Sequence, residues 1–276
     1  MNREKLFKGI AKGNKDADLK VISLGLGVQS TAVYLMSSMG MLPRADVAIF
    51  ADPQAEHYKT YEILQWLLGW KEENNGIDIV VNKDRNIYTD QLKTNPHKHI
   101  RVPQIPAHTT PSGIARRQCT YEYKIMPVIK STRKLHGLKP RKRMKPTEFW
   151  LGISTDEIQR MKKSQLYNIE YFYPLIYTGM SRLDCIDFFK ENNFPVPPKS
   201  SCVFCPFHSN SFWKEIQKEN GSAWKMSIEV DEKIRIKNGM RGKMYLHPSR
   251  KPLKDINFED NQMSFDGFDC EGHCGI

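Results

Sequence analysis

The sequence predicts an α/β fold: a doubly wound, mostly parallel sheet followed by a small, mainly helical C-terminal lobe. Three observations carry that expectation. Short apolar runs of strand length recur at Val21 to Leu24, Asp46 to Ala51 and Ile77 to Val81. Between them lie stretches of helical spacing, Ala32 to Met39 and Tyr58 to Glu73, giving a β-α-β-α-β order that favours parallel strands joined by right-handed crossovers. Small or polar residues also follow the ends of several runs: Gly25 and Gly27, then Asp52, then Ser154 and Asp156. In an open parallel sheet those ends share one edge, and ligands bind there.

Taken in order, Met1 to Asp18 is polar and reads as a short helix or loose arm. Leu19 to Thr31, LKVISLGLGVQST, supplies a buried strand, a glycine turn and two hydroxyls before the first helix, which Gly40 ends. Tyr61, Leu64, Leu67 and Leu68 mark the apolar face of the second helix. Asp84 to Ser112 is broken by Pro96, Pro103, Pro106 and Pro111 and holds His97, His99 and His108. Those histidines fit no helical ligand pair, so the stretch reads as an active-site flap or a surface loop. Gly113 to Thr132 looks helical with a kink near Pro127, and Glu148 to Ile153 is a further strand. Glu157 to Lys163 is a short helix, Tyr171 to Ile176 a fifth strand, and Ser181 caps a helix with Asp184 three residues on. Asn210 to Asn220 and Ala223 to Asn238 read as two last helices, and the tail from Gly239 is irregular. A boundary near Lys199 divides the chain into 1–198, the α/β domain, and 199–276, a cysteine-bearing lobe and tail.

The turn at Gly25 to Thr31 has the build of an anion site. Glycines let backbone approach a ligand closely, and the free N–H groups and positive end of the following helix face a phosphate or sulfate. An ordinary βα turn has the same spacing, and the stretch matches neither a Walker loop nor a GxGxxG fingerprint. A carboxylate such as Asp52 at a neighbouring strand end would suit a ribose or Mg2+. Ser154 and Asp156 would serve equally as helix caps. Arg160 and Lys124 would bring positive charge to a phosphate, or be solvated.

The composition, 39% hydrophobic and 26% charged over 276 residues, is that of a globular protein. No apolar run is long enough to span a bilayer and the N-terminus lacks a signal-peptide core, so a cytoplasmic protein with no membrane partner is expected. A net charge of +11 favours a polyanion or an anionic substrate as partner. The densest basic segment, Lys130 to Lys145, reads as a solvated loop or a nucleic-acid contact.

Six cysteines stand at 119, 185, 202, 205, 270 and 274. Metal ligation or thiol chemistry suits the clustered ones better than disulfides. Cys202-Val-Phe-Cys205 lets two thiolates reach one metal from a tight turn, with Cys119 and the pair Cys270/Cys274 as completions. Spacing does not separate zinc from an iron–sulfur cluster. Cys185, between apolar helix neighbours, reads as core.

Several of these stretches together resemble the PP-loop superfamily, on the branch of phosphoadenosine phosphosulfate (PAPS) reductases and their relatives. Gly25 to Ser30 is similar to the PP-loop, and Phe50-Ala51-Asp52 to the motif after the second strand that contacts nucleotide. Arg117-Gln118-Cys119-Thr120 with Lys124 resembles the Cys-Cys-x-x-x-Lys segment of cluster-bearing sulfonucleotide reductases. Gly152 to Arg160 resembles their substrate-binding strand end, and Cys202-x-x-Cys205 their second cysteine pair. Three positions depart from the pattern. Gln29 stands where ATP-splitting members have Asp, Gln118 replaces one cysteine, and the tail has two cysteines where the reductases have one.

The resemblance implies a PP-loop (HUP-like) enzyme binding an adenine nucleotide, ATP or PAPS, through Ser23, Gly25, Gly27, Gln29, Ser30, Thr31, Asp52, Gly152, Ser154, Asp156 and Arg160. It implies a [4Fe–4S] cluster, with Zn2+ as the alternative, on Cys119, Cys202 and Cys205, and on Cys270 or Cys274 or with an open fourth iron. Lys124, Cys270 and Cys274 are its catalytic candidates. Two activities follow: ATP-dependent sulfur transfer to tRNA or DNA, with a sulfur-donor protein, or reduction of PAPS or adenosine phosphosulfate by a tail thiolate, with a thiol reductant. A nucleotide- or nucleic-acid-binding module without catalysis is the third expectation, supported by Gln29.

Overall fold

The structure is a computed structural model and describes residues 16–93, 105–236 and 242–258. Five parallel strands form the central sheet: β1 (Leu19–Ser23), β2 (Val47–Ala51), β3 (Ile79–Asn82), β5 (Thr147–Trp150) and β6 (Ile169–Phe172), in the order β3-β2-β1-β5-β6. A two-residue strand β4 (His108–Thr109) pairs antiparallel with β7 (Met244–Tyr245) apart from the sheet. The α/β class and the five expected strands are therefore present.

Both faces of the sheet are covered, so its strands are apolar on both sides rather than alternating with polar residues. One face (Ile22, Ala48, Phe50, Trp150, Phe172) packs against α1 (Val28–Ser38), α2 (Tyr58–Asn74) and, through Cys185, Phe188 and Phe189, the later helix Arg182–Glu191. The other face (Val21, Ile49, Phe149, Leu151, Ile169) packs against Val128 of the helix Met126–Leu135. Cys185 is a core residue, and burial pushes its thiol up to about 12.

Several boundaries differ from the expected ones for local reasons. The stretch after β3 is not wholly irregular, because Asn86 caps α3 (Ile87–Leu92) with its side chain. Nor are residues 105–108 a surface loop: Ile105, Ala107 and His108 are buried, and exposure returns only at Pro111 and Ser112. His97 and His99 lie outside the described residues. The helix expected from Gly113 starts later, with a π-turn over Tyr121–Ile125 running into α4 (Met126–Leu135). Pro127 sits in the first turn of α4 directly after that π-turn, so the helical run changes its hydrogen-bonding pattern beside the proline. The strand expected to reach Ile176 stops at Phe172, because Pro174 opens a short helix, α5 (Pro174–Tyr177). Ser181 and Asp184 form a reciprocal capping box on α6 (Arg182–Glu191).

The C-terminal part holds α7 (Asn210–Glu219) and α8 (Ser222–Ile234). Its core joins Trp213, Ile216, Val230 and Ile234 to Ala55, Ile87, Ile105 and Tyr123, so residues from both sides of Lys199 share one apolar cluster. Asp231, buried at 1% exposure, accepts hydrogen bonds from the N–H groups of Leu246 (2.9 Å) and Leu253 (3.0 Å) and pairs with Arg235, tying the last described segment to α8.

Candidate active site: two cavities sharing one lysine

The strand order reverses between β1 and β5, and a cavity opens there, at the carboxyl ends of both. It measures ≈330 Å3. Its floor is the turn Ser23 to Ser30 together with Leu151 to Ile153. Gly27 is the N-cap of α1 and no side chain caps that end, which leaves the first N–H groups of the helix facing the cavity. The turn itself is tight at Leu26 (φ +57°), which is held in that left-handed conformation by a fully buried side chain. Gly25 and Gly27 therefore do not serve a positive φ; their missing side chains keep the floor open. Gly152 is the glycine that packing demands. A Cβ there would stand 2.6 Å from Ser30 N and 2.7 Å from Ser30 Cα, so β5 and the start of α1 meet backbone to backbone.

Lys124, Arg160, Arg182 and Lys199 line the cavity with Asp156 and Glu157, leaving an excess of positive charge. Gln29 organises one wall. Its Oε1 accepts from Arg182 Nη1 at 2.9 Å, and its Nε2 donates to Glu157 Oε2 (3.3 Å) and Ser154 Oγ (3.4 Å). Arg160 pairs with Glu157 at 2.6 Å. Burial raises the Asp156 carboxyl, but hydrogen bonds from Ser154 and the Arg182 N–H outweigh it and hold that group below the usual range.

Of the expected nucleotide residues, Ser23, Gly25, Gly27, Gln29, Ser30, Gly152, Asp156 and Arg160 line this cavity, as does Lys124. Ser154 is fully buried behind Gln29, and Thr31 is buried in α1. Asp52 is 3% exposed and turned into its own loop, accepting from Gln54 N (2.7 Å) and Tyr61 Oη (2.8 Å). Glu157, Arg182, Lys199 and Ser200 went unread in the sequence. Arg182 stands at the first position of a capped helix, and no spacing signal ties it to a loop 153 residues earlier.

Beside this cavity lies a smaller, almost wholly apolar one of ≈30 Å3, lined by Cys119, Cys202 and Cys205 with Phe204, Tyr123, Arg117 and Lys124. Three thiols from two distant segments thus face one space. Burial drives the Cys202 thiol well up, and the Glu56 carboxylate acts the same way. The Cys202 carbonyl bonds His208 Nε2 at 2.8 Å, and burial pushes the stacked His208 imidazole down to about 3. Among the described residues, no three His, Cys, Asp or Glu side chains are arranged to hold a single metal ion. Cys270 and Cys274 lie outside the described residues.

Lys124 belongs to both cavities. Its Nζ pairs with Glu56 Oε1 at 3.0 Å, and Glu56, whose carboxylate is fully buried, also accepts from Ser200 Oγ at 3.3 Å.

No protein-family model matches the sequence, and no curated protein matches it. Among solved structures the chain is similar to the U34-tRNA thiolase NcsA from Methanococcus maripaludis with its [4Fe-4S] cluster. The identity is 13% and the TM-score 0.42, over 91% of this chain and 85% of that one.

Proposed function

We propose that this chain is a PP-loop enzyme of the PAPS reductase-like branch that binds an adenine nucleotide and transfers sulfur to a nucleic acid. The observation that carries the reading is the shared lysine: a cationic cavity floored by an uncapped helix start meets a three-thiol cavity at Lys124. Nucleotide phosphates would lie on the N–H groups of α1, with Arg160, Arg182 and Lys199 around them. Lys124, oriented by Glu56, would stand between the phosphates and the sulfur side. Mg2+ would have to draw on Asp156 or Glu157, both already engaged within the protein.

Cys119, Cys202 and Cys205 would hold a [4Fe–4S] cluster, with Cys270 or Cys274 at the fourth iron or that iron left open. A single zinc ion would draw its thiolates to about 4 Å of one another, since metal–sulfur bonds are about 2.3 Å. A cluster is ligated through separate irons and spreads its cysteines more widely, and the three thiols that line this cavity are the donors either group would use. When bound, such a cluster would supply sulfur-activating or redox chemistry.

Sulfonucleotide reduction is the second reading, favoured by Gln29. Where ATP-splitting relatives have a carboxylate, this chain places an amide bonded to Arg182, which adds cationic character to the floor. Anaerobic purification tests the cluster: brown protein with about four irons and four sulfides per chain, and a loss of iron in Cys119→Ser, is expected; colourless protein with stoichiometric zinc would overturn it. Pyrophosphate release from ATP that depends on added tRNA or DNA is expected for the first reading. Sulfite release from PAPS with a thiol reductant, and none of that pyrophosphate, would replace it with the second.

A further inference from the structure

The basic segment singled out in the sequence does not border the mouth of the cavity. Its second half lies at the opposite, amino edge of the sheet, in the loop between α4 and β5. There Arg141, Lys142, Arg143 and Lys145 are exposed. A second segment joins it. Residues 161–168 leave Arg160 at the cavity and run to Asn168 beside the amino end of β5. At that end Asn168 O accepts from Thr147 N (2.9 Å) and Asn168 Nδ2 donates to Met144 O (3.0 Å). Eight residues of this segment span at most about 29 Å of extended chain. They carry two more exposed cations, Lys162 and Lys163, and Tyr167, which is 64% exposed with the Arg143 guanidinium 5.2 Å from its ring centre.

Among the described residues none of these six cations has a carboxylate within ion-pair distance. Some exposed lysines elsewhere do pair with acids, as in Lys59–Glu215 and Lys254–Glu232. Six cations without carboxylate partners, with an exposed aromatic ring among them, match a phosphate backbone with bases available for stacking.

We propose that residues 161–168 and the loop 139–146 form a nucleic-acid track that leads from the amino edge of the sheet up to Arg160 at the cavity. It takes a nucleic-acid strand by its phosphates, with Tyr167 stacking on an unpaired base. The proposal deepens the function proposed above and rests on its nucleic-acid acceptor. It adds that the acceptor is held along one flank of the sheet, far from the reacting nucleotide, so that only an end or a loop enters the site.

The test compares the full-length protein with Arg141→Gln/Lys142→Gln/Arg143→Gln, with Lys162→Gln/Lys163→Gln and with Tyr167→Ala. A control, Lys218→Gln/Lys225→Gln/Lys233→Gln, removes three charges from exposed positions of α7 and α8. Fluorescence anisotropy over a salt series uses a labelled RNA hairpin, the matching DNA hairpin and a blunt DNA duplex. The triple variant is expected to bind at least tenfold more weakly, with the slope of log K against log salt reduced by about 2 to 3. The control should move neither, and all variants should bind ATP or PAPS as the parent does. Tyr167→Ala should weaken both hairpins and spare the duplex, and preference between RNA and DNA hairpins identifies the acceptor class. Equal loss in the control and the triple variant, or no loss in either, overturns the track, as does a parent that binds none of the three probes. Nucleic-acid-dependent pyrophosphate release that persists at unchanged affinity in the triple variant removes the track and leaves the function. Track-dependent binding without pyrophosphate release does the reverse.

Discussion

The two cavities that meet at Lys124 are built on different principles. The larger carries charged side chains over a floor made largely of backbone: a turn, an uncapped helix start and a strand end in contact with it, with every charged group that faces it coming from elements around the sheet. The smaller is apolar and made of side chains gathered from residues 119–124 and 202–205, inside a core that also holds buried histidines. A backbone site of the first kind is fixed as soon as the sheet forms. One of the second kind depends on two remote segments closing on each other. Changes to the first should therefore show as lost packing or lost anion affinity, and stress on the second as lost folding of the C-terminal part.

The largest effect is expected at Gly152. An added methyl would meet Ser30 N at 2.6 Å and the Gln29 carbonyl carbon at 2.9 Å, and backbone has nowhere to move without separating β5 from α1. Gly152→Ala should lower stability by about 1–3 kcal/mol, as overpacking does. It should also weaken adenine-nucleotide binding by at least roughly a hundredfold, about 2.8 kcal/mol, because the floor itself is displaced. Calorimetry of ATP or PAPS binding together with thermal unfolding checks both; an unchanged melting temperature with normal affinity would mean that the strand and helix do not meet as described.

This contact also shows what the sequence makes legible. Gly25 to Ser30 and the five strands follow from local patterns, because a parallel sheet imposes apolar runs and puts polar residues at their ends. Gly152 was noticed as a strand-end residue, but its reason, a neighbour more than a hundred positions away, exists only in three dimensions. The same holds for Asp52. A carboxylate after a strand looks like a ligand group, yet the turn beside it and Tyr61 use both its reach and its charge. Arg182 and Lys199 were missed for the converse reason: a basic residue at a helix start or in a proline-rich bend has no local signature of what it faces.

Acid should separate the two regions next. Burial pushes the His247 imidazole down to about 4, in the core around α7, where its Nε2 meets Asn210 Oδ1 and its Nδ1 meets Ser249 Oγ. His108 nearby is lowered by burial too. A histidine whose folded pKa is depressed binds fewer protons folded than unfolded, so its contribution is present above about pH 6.5 and is lost as pH falls from there toward 4. For His247 the full loss is on the order of 3 kcal/mol. Around the sheet the lowered groups are His136, beside Thr147 of β5 and lowered chiefly by burial, and the carboxylates Asp156 and Asp184, whose contribution fades only as pH falls through and below the ordinary carboxylate range. Urea unfolding between pH 7 and 4.5 should show stability falling with pH, and a shallower fall in His247→Gln. Parallel curves would place the acid-sensitive group elsewhere.

A smaller effect is expected from Arg182→Ala. It removes a cation from the cavity and releases Gln29 Oε1, leaving the remaining bonds of that side chain in place. Nucleotide affinity should fall about tenfold, 1.4 kcal/mol, in the range of one charge-assisted hydrogen bond, while thermal stability changes little because Arg182 is only half-buried. If affinity holds and stability falls instead, Arg182 is a strut for Gln29 and not a phosphate contact.

Gly25→Ala should disturb the protein least, and for that reason it locates the ligand best. Its Cβ would come no closer than 3.6 Å to Ser30 Oγ, an ordinary contact, and the backbone there needs no positive φ. Stability should move by less than about 0.5 kcal/mol, as for substitutions that strain nothing. The methyl nevertheless projects where an anion would approach the N–H groups of α1. A stable variant with weakened ATP or PAPS binding would seat the phosphates or sulfate on the turn itself. A stable variant that binds normally would move them toward Arg160 and Lys199, away from the helix start, and would make the charged walls of the cavity, not its backbone floor, the part that recognises the nucleotide.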